Sequence, residues 1–549
     1  MCPARCTHCS SGPPESSEDK RMESAAETAA QAHQKWPSQL EVWIDRRKPV
    51  AELRIRTTEI LRDVARWLTT EAGLRFAGLI LEQQPEQWEF RYLFYLDHKA
   101  GWIHALVHQP VEQVSVPSIS SEVYAADPHE REAEDLFGVT FSGHPKLGDF
   151  VLHDDSWQES VAPMRKEFDE AAALAERAPR EGWRPRTIVE APGAFVTPIG
   201  PVYAGVTESA QFFLETVGED VIRAIPRLFY KYRAMEKVAE GRTIDEGLLF
   251  AERFAATTAF AHALAYCQAV EAICRVKVPP RAVMLRGFLA ELERFRHHVG
   301  VIQEICESTG LSVAASQAAL LEEDLLRISG AFTGHRYLFG LVTPGGLMRD
   351  FAGPDCRDAV EQARKVLLKL DSLFEMLRYS SSFLDRLEGV GLISSDEARK
   401  LGLVGPIARA SGIVGDLRKA QPYCNYDRLQ SDEIIENEGD GFARVRVLYQ
   451  EATQAVHIMG QIPPQLESGE VLAPVTPQQG AALGWAEAPR GATFHWVRLG
   501  GDGLISRYHV VSPSFINWHG FHAATENFAF QDFPIILATL GLSVAENDR

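Results

Sequence analysis

Several things are missing from this chain of 549 residues, and each absence excludes something. No run of about 18 uninterrupted apolar residues exists; the nearest approach, residues 528–544, carries Gln531 and Asp532, so no helix is expected to span a bilayer. Basic residues are in deficit, with 56 Lys and Arg against 75 Asp and Glu and a net charge of -19. That balance excludes nucleic acid as the natural partner and argues against direct adhesion to anionic lipid. No apolar segment of the signal-peptide kind opens the chain, so a cytoplasmic location is expected. No Gly-rich phosphate loop follows a strand, so any nucleotide must bind a different protein. Cysteine is scarce: of eight, Cys267, Cys274, Cys306, Cys356 and Cys424 are scattered through predicted helices and loops, which excludes a disulfide framework.

What is present is a globular composition, 45% hydrophobic and 24% charged, long enough to bury more than one core. Residues 1–38 read as a tail, because Ser10 to Gln34 has the Ser, Glu, Ala and Gln bias of disordered chain. The spacing of Cys2, Cys6 and Cys9 resembles the iron–sulfur motif of radical SAM enzymes, with nothing downstream that looks like their barrel. Residues 39–168 combine a helical stretch, Thr57 to Glu71, with the alternating runs WEFRYLFYLD and GWIHALVHQP, which predict strands of a small α+β domain. A charged connector, 169–190, follows. Residues 191–549 are mostly helical: Glu252 to Ile273, Arg281 to Cys306, Ala315 to Ala331 and Arg357 to Gly389 carry apolar residues at spacings of three and four, the pattern of a bundle of long helices. On the second of these, Leu285, Phe288, Leu292, Phe295 and Val299 form an apolar stripe. Glu291, Arg294 and His298 lie alongside as a polar stripe, which generic spacing would place on the surface.

Three blocks carry a family resemblance. HEREAEDLFGVTFSGHPKLGDFVLHDDSWQESVAPMRKEF resembles the signature of the 30 kDa subunit of respiratory complex I, which implies that Glu130, Arg131, Glu134 and Asp135 dock on neighbouring subunits. TPIGPVYAGVTESAQFFLETVGE, residues 197–219, resembles the opening of the complex I 49 kDa subunit and of group 4 nickel–iron hydrogenase large subunits. GLVGPIARASGIVGDLRKAQPYCNYDRL resembles a 49 kDa block whose polar positions fall here on Arg409, Asp416, Arg418, Lys419, Tyr423, Tyr426 and Asp427, with a packing role implied for the loop. The implied fold is α+β: a small sheet domain like the 30 kDa subunit, then a large, mainly helical domain with an N-terminal β-hairpin region.

The departures are as informative. ERFAATTAFAHA, residues 252–263, resembles the first metal motif of group 4 hydrogenases with both cysteines replaced, by Ala255 and Thr258. At the C-terminal motif Ser543 and Glu546 stand at the two thiolate positions. A nickel–iron centre needs soft thiolate donors, which a methyl, two hydroxyls and a carboxylate cannot supply. This chain is therefore expected to bind no metal itself and not to be an active hydrogenase. The residues that hold the quinone headgroup in complex I are matched by Tyr203 and Ala256; the phenol of Tyr203 can donate a hydrogen bond and Ala256 cannot. Tyr203, with His262 of the FAH triplet, is the candidate catalytic pair.

The resemblance of LAELERFRHHV and YKYRAMEK to 49 kDa segments places His298 and Arg233 near an iron–sulfur cluster of a partner subunit, with Arg253 and Arg294 assigned to the same surroundings. A neutral imidazole there couples electron arrival to proton uptake. The implied cofactors are a 4Fe-4S cluster in a small iron–sulfur subunit of complex I type and quinone. Integral membrane subunits are the other implied partners, holding the chain to the inner face of the membrane. Three functional readings stand: a subunit passing electrons from that cluster to quinone or another small acceptor, a non-catalytic scaffold or coupling subunit, and a true hydrogenase that has found other ligands.

Overall fold

The computed structural model describes residues 17–45, 50–97, 101–158, 160–177, 182–185, 192–202 and 208–549. The candidate Tyr203 lies outside them, as do Cys2, Cys6 and Cys9.

The N-terminal part is a five-stranded sheet in which Leu40–Asp45, Val50–Ile55, Trp102–Pro110, Gln87–Leu96 and Leu74–Gln83 lie side by side in that order. Only the pairing of Val50–Ile55 with Trp102–Pro110 is parallel. Alternation along Gln87–Leu96 separates two faces. Trp88 and Phe90 meet Phe137 and Phe141 of their own domain. The other face packs on the C-terminal part, where Tyr95 meets Phe494 and the Arg91 guanidinium lies over the Trp496 ring. The polar residues of that face are buried because they are paired: Glu89 with Arg91 and Arg498, and Glu82 with Trp496 Nε1 and Arg498. The sheet is covered on both sides.

One expectation for this region is corrected. The stretch Ser17–Lys35 is a helix rather than a tail, since Ala25, Ala29 and Ala32 recur at helical spacing and are buried. Four of the five charged residues of HEREAED, Glu130, Arg131, Glu134 and Asp135, find partners within their own domain. Glu130 accepts from Ser118 Oγ and Ile119 N, Glu134 from Gly148 N, Asp135 from the amides of residues 150–152, and Arg131 lies over Phe150. Two others reach the C-terminal part of the same chain: Glu132 takes Arg549 at 2.6 Å, and the His129 ring abuts Phe515.

The second part opens with an antiparallel sheet of Ala194–Ile199, Gln211–Val217, Asp220–Arg227 and Glu526–Ala529. Its longer helices are Ile244–Arg253, Ala259–Cys274, Pro280–Ser308, Ser312–Thr333, Gly353–Leu377 and Gly441–Gln461. Pro280 opens the longest of them, where a missing N–H costs nothing. The strands Gly480–Ala488, Gly491–Leu499 and Ile505–Val511 form a sheet against Ala259–Cys274. Contact there is close enough that a Cβ on Gly484 would collide with the Ala265 carbonyl. Two expected helices are shorter than their periodicity suggests. The last ends at Leu377, not Gly389. The first is broken between Arg253 and Ala259 by a single 3-10 turn, Ala256–Thr258, the segment that resembles a metal motif.

Candidate active site

The broken helix and the C-terminal tail meet. Thr258 Oγ1 donates to Glu546 Oε1 at 2.8 Å, joining a first-motif position to a second-motif position across 288 residues of chain. Ala255, Thr258, Ser543 and Glu546 are all buried. The Glu546 carboxylate also accepts from Arg490 Nη1 at 3.1 Å and from Ser514 N at 3.2 Å, and His262 Nε2 lies 3.7 Å from it. Burial alone would raise this carboxyl; Arg490 and His262 outweigh it and hold the group well below the usual carboxylate range.

Arg490 is the residue that sequence reasoning missed. Its Nη1 also donates to Thr257 Oγ1 at 3.0 Å and its Nε to the Gly541 carbonyl at 2.8 Å, so one guanidinium spans both motif segments. The sequence gives no local signal of this, because Arg490 follows a proline in the turn between two strands, where a charged residue is ordinarily solvated. Glu208 was missed as well: its carboxylate accepts from the amides of Val544 and Ala545 and faces Ser543 Oγ at 3.4 Å, shaping the tail's turn.

The break in the helix has a local cause. Phe260 N and Ala261 N, first-turn donors with no partner in their own helix, are accepted by the two oxygens of Glu293 from Pro280–Ser308 at 2.8 and 3.0 Å. Arg296, three residues on, donates to the Thr257 carbonyl. Burial pushes the Glu293 carboxyl up to about 7, against the opposing effects of Arg296 and the two amides.

His262 is fully buried. Its Nδ1 lies 3.0 Å from His495 Nε2 and 3.1 Å from Thr493 Oγ1, and His495 Nδ1 lies 2.8 Å from Tyr508 Oη. It is thus a core histidine that borders Glu546. Arg233 is pinned along the outside of the same segment, with Nε on the Asp548 carbonyl and Nη2 on the carbonyls of Phe254 and Ala545. Arg253 stands nearby in sequence, with 61% of its side chain exposed and Glu252 at 3.7 Å. Ala256 is exposed and offers no polar group.

Arg294 and His298 lie on a different face of Pro280–Ser308. The generic surface reading of their stripe is overturned, because Glu291, Arg294 and His298 are all fully buried. Arg294 donates to Glu291 and to the carbonyls of Glu487 and Ala488. Glu291 further accepts from Arg418 Nη1 at 3.0 Å and from Tyr426 Oη at 2.6 Å, while Arg418 also holds Asp416. Arg409 bridges Glu451 and Glu487 at 2.6 and 2.9 Å, and His298 Nε2 lies 2.9 Å from the other oxygen of Glu451. Three guanidiniums thus meet four carboxylates and one imidazole. The packing role expected of the 409–427 loop is this network. Arg409, Asp416, Arg418 and Glu451 also line a cleft with Asp97, Lys419, Asp432 and Glu433. Among the described residues no three His, Cys, Asp or Glu are grouped to hold a metal ion, and no helix is long and apolar enough to cross a membrane.

Comparison with known proteins gives two family matches: "Respiratory-chain NADH dehydrogenase, 30 Kd subunit" over residues 55–173, and the corresponding 49 Kd subunit over residues 313–476 and 474–549. Formate hydrogenlyase subunit 5 of Escherichia coli K12 is 30% identical over 453 residues, covering 82% of this chain and 79% of the relative. Hydrogenase-4 component G of the same organism is 28% identical, covering 82% and 78%. NADH-quinone oxidoreductase subunit 4 of Thermus thermophilus is 28% identical over 419 residues, covering 70% and 100%.

Proposed function

This chain belongs to the family that joins the 30 kDa and 49 kDa subunits of respiratory complex I with subunits of formate hydrogenlyase and hydrogenase-4, and from that premise we propose that it is a peripheral-arm subunit of a membrane oxidoreductase of this kind. It passes electrons from an iron–sulfur cluster in a small partner subunit to quinone or another small acceptor, without a nickel–iron centre. Integral membrane subunits hold it at the inner face of the membrane.

The observation that carries this reading is the hydrogen bond between Thr258 and Glu546. It brings the two ancestral motifs together with hard oxygen donors only, and the carboxylate is already engaged by Arg490 and Ser514. Such a donor set does not fit nickel and iron bridged by thiolates, and no step runs through them.

The partner's cluster would supply electrons one at a time. The residues of this chain supply charge and protons around it: Arg233 and Arg253 present cationic side chains beside the broken helix, while Arg294 and His298 stand in a separate buried network. Reducing a quinone places negative charge on its oxygens, which need proton donors. Tyr203 is one candidate donor, and His262, whose Nε2 lies 3.7 Å from Glu546, is the other.

A second reading, a scaffold that transmits or holds without electron transfer, is favoured by one observation: Arg490 cross-links both motif segments with this chain's own side chains. Redox titration of the intact membrane assembly separates the two. Electron transfer requires a cluster whose potential depends on pH, a dependence flattened by His298→Ala, and quinone-linked turnover lowered by Tyr203→Phe without unfolding. Unchanged turnover removes Tyr203 from the site, a preserved slope removes His298, and absence of any turnover leaves the scaffold.

A further inference from the structure

We propose that Glu451 is the positioning residue for His298: its carboxylate takes the proton-bearing Nε2, so that Nδ1 is the ring atom left to accept a proton. The geometry is specific. Glu451 comes from Gly441–Gln461, its Oε2 lies 2.9 Å from His298 Nε2, and its Oε1 is fixed by Arg409 Nε at 2.6 Å. The opposing effects of burial and of Arg409 leave the Glu451 carboxyl lowered to about 2, so at neutral pH it is an acceptor only and the nitrogen facing it must carry hydrogen. His298 Nδ1 is buried and has no hydrogen-bond partner among the described residues.

A neutral imidazole has one donor and one acceptor nitrogen, and the group bonded to one of them decides which is which. Here that group is a fully buried carboxylate pinned by a guanidinium, so the choice is made before any proton or electron arrives. The charged and titratable groups around the ring are Glu451, Arg409 from Gly405–Ala410, and Arg294 and His297 of its own helix. Burial and the two guanidiniums lower the affinity of His298 for a second proton; the Glu451 carboxylate raises it. The network holds three guanidiniums, of Arg294, Arg409 and Arg418, against four carboxylates, of Glu291, Glu451, Glu487 and Asp416. It is one proton short of neutral when all are ionised, and an imidazolium at His298 is one place where that proton fits.

This inference rests on the reading of His298 as a proton acceptor beside a redox partner, but its test does not. In the full chain labelled with ¹⁵N-histidine, the His298 ring should show the Nε2–H tautomer above its titration midpoint. Glu451→Gln should abolish that preference and move the midpoint down by about 1–2 pH units, the effect of losing one charge-assisted hydrogen bond. Glu451→Asp, which keeps the charge, should retain a midpoint closer to that of the parent. A parent ring in the Nδ1–H form overturns the proposal even if the variants do not fold, and so does a Glu451→Gln chain whose tautomer and midpoint are unchanged. The partner cluster's potential is read separately: a slope with pH that survives His298→Ala defeats the redox reading while the tautomer result stands.

Discussion

Two faces of one helix, Pro280–Ser308, treat buried carboxylates in opposite ways. Glu291 and Glu293 are two residues apart and both almost wholly buried. Burial pushes each carboxyl up, yet Glu291 ends below its ordinary value and Glu293 at about 7. Glu291 faces Arg418, Arg294 and the Tyr426 hydroxyl, while Glu293 faces two neutral backbone amides, with Arg296 as its main counter-charge. Ionic partners keep the first charged, and amide partners do not fully offset desolvation for the second. The two faces also serve different ends of the molecule: one braces the 409–427 loop and His298, the other holds open the altered motif beside Glu546.

The comparison can be broken at several points. The largest effect is expected from Arg418→Met, which leaves Glu291 and Asp416 without their shared cation; stripping one partner from a buried ion-pair network costs about 3–5 kcal/mol, read by urea unfolding. A loss below about 1 kcal/mol would mean that water reaches the network. Arg490→Met should cost nearly as much and should also expose residues 541–549 to hydrogen exchange, because Gly541 and Glu546 lose the same donor group. An unchanged exchange pattern in the tail would show that Arg490 does not close the site.

Glu293→Gln sharpens the contrast through pH. The folded carboxyl titrates near 7 and the unfolded one near 4.5, so the native state binds the extra proton between those values and stability from Glu293 falls as pH rises. The stability difference between variant and parent should therefore shift by up to about 3 kcal/mol in favour of glutamine from pH 4.5 to 7.5. A pH-independent difference would place the titration elsewhere. The smallest effect is that of Thr258→Val, which removes one hydrogen bond to Glu546 at similar shape and should cost about 1–2 kcal/mol in the same assay.

The strands at 87–96 and 102–110 were legible from alternation, and the long helices from three-and-four spacing, because burial imposes those periods. What alternation could not reveal is that the polar face holding Glu89 and Arg91 is itself buried against Arg498 and Trp496, since the partners lie some 400 residues away. Likewise Glu252 to Ile273 reads as one helix because its apolar residues recur at spacings of three and four; the break follows from Glu293, Arg296 and Glu546, none of them local. His298, Arg294 and the polar positions of the 409–427 loop were found through family resemblance. Their burial was not, because a charged stripe looks the same in sequence whether water or guanidinium satisfies it. Arg490, Glu208 and Glu451 carried no readable signal: each acts through contacts 42 or more residues distant.

The most direct test of the central claim is to purify the membrane assembly carrying this chain in mild detergent and determine its nickel, iron, acid-labile sulfide and bound quinone per copy. Iron and sulfide with membrane subunits attached, quinone present and nickel absent, is the predicted result. Stoichiometric nickel would contradict the reading of Ala255, Thr258, Ser543 and Glu546, and an assembly without iron or sulfide would contradict electron transfer.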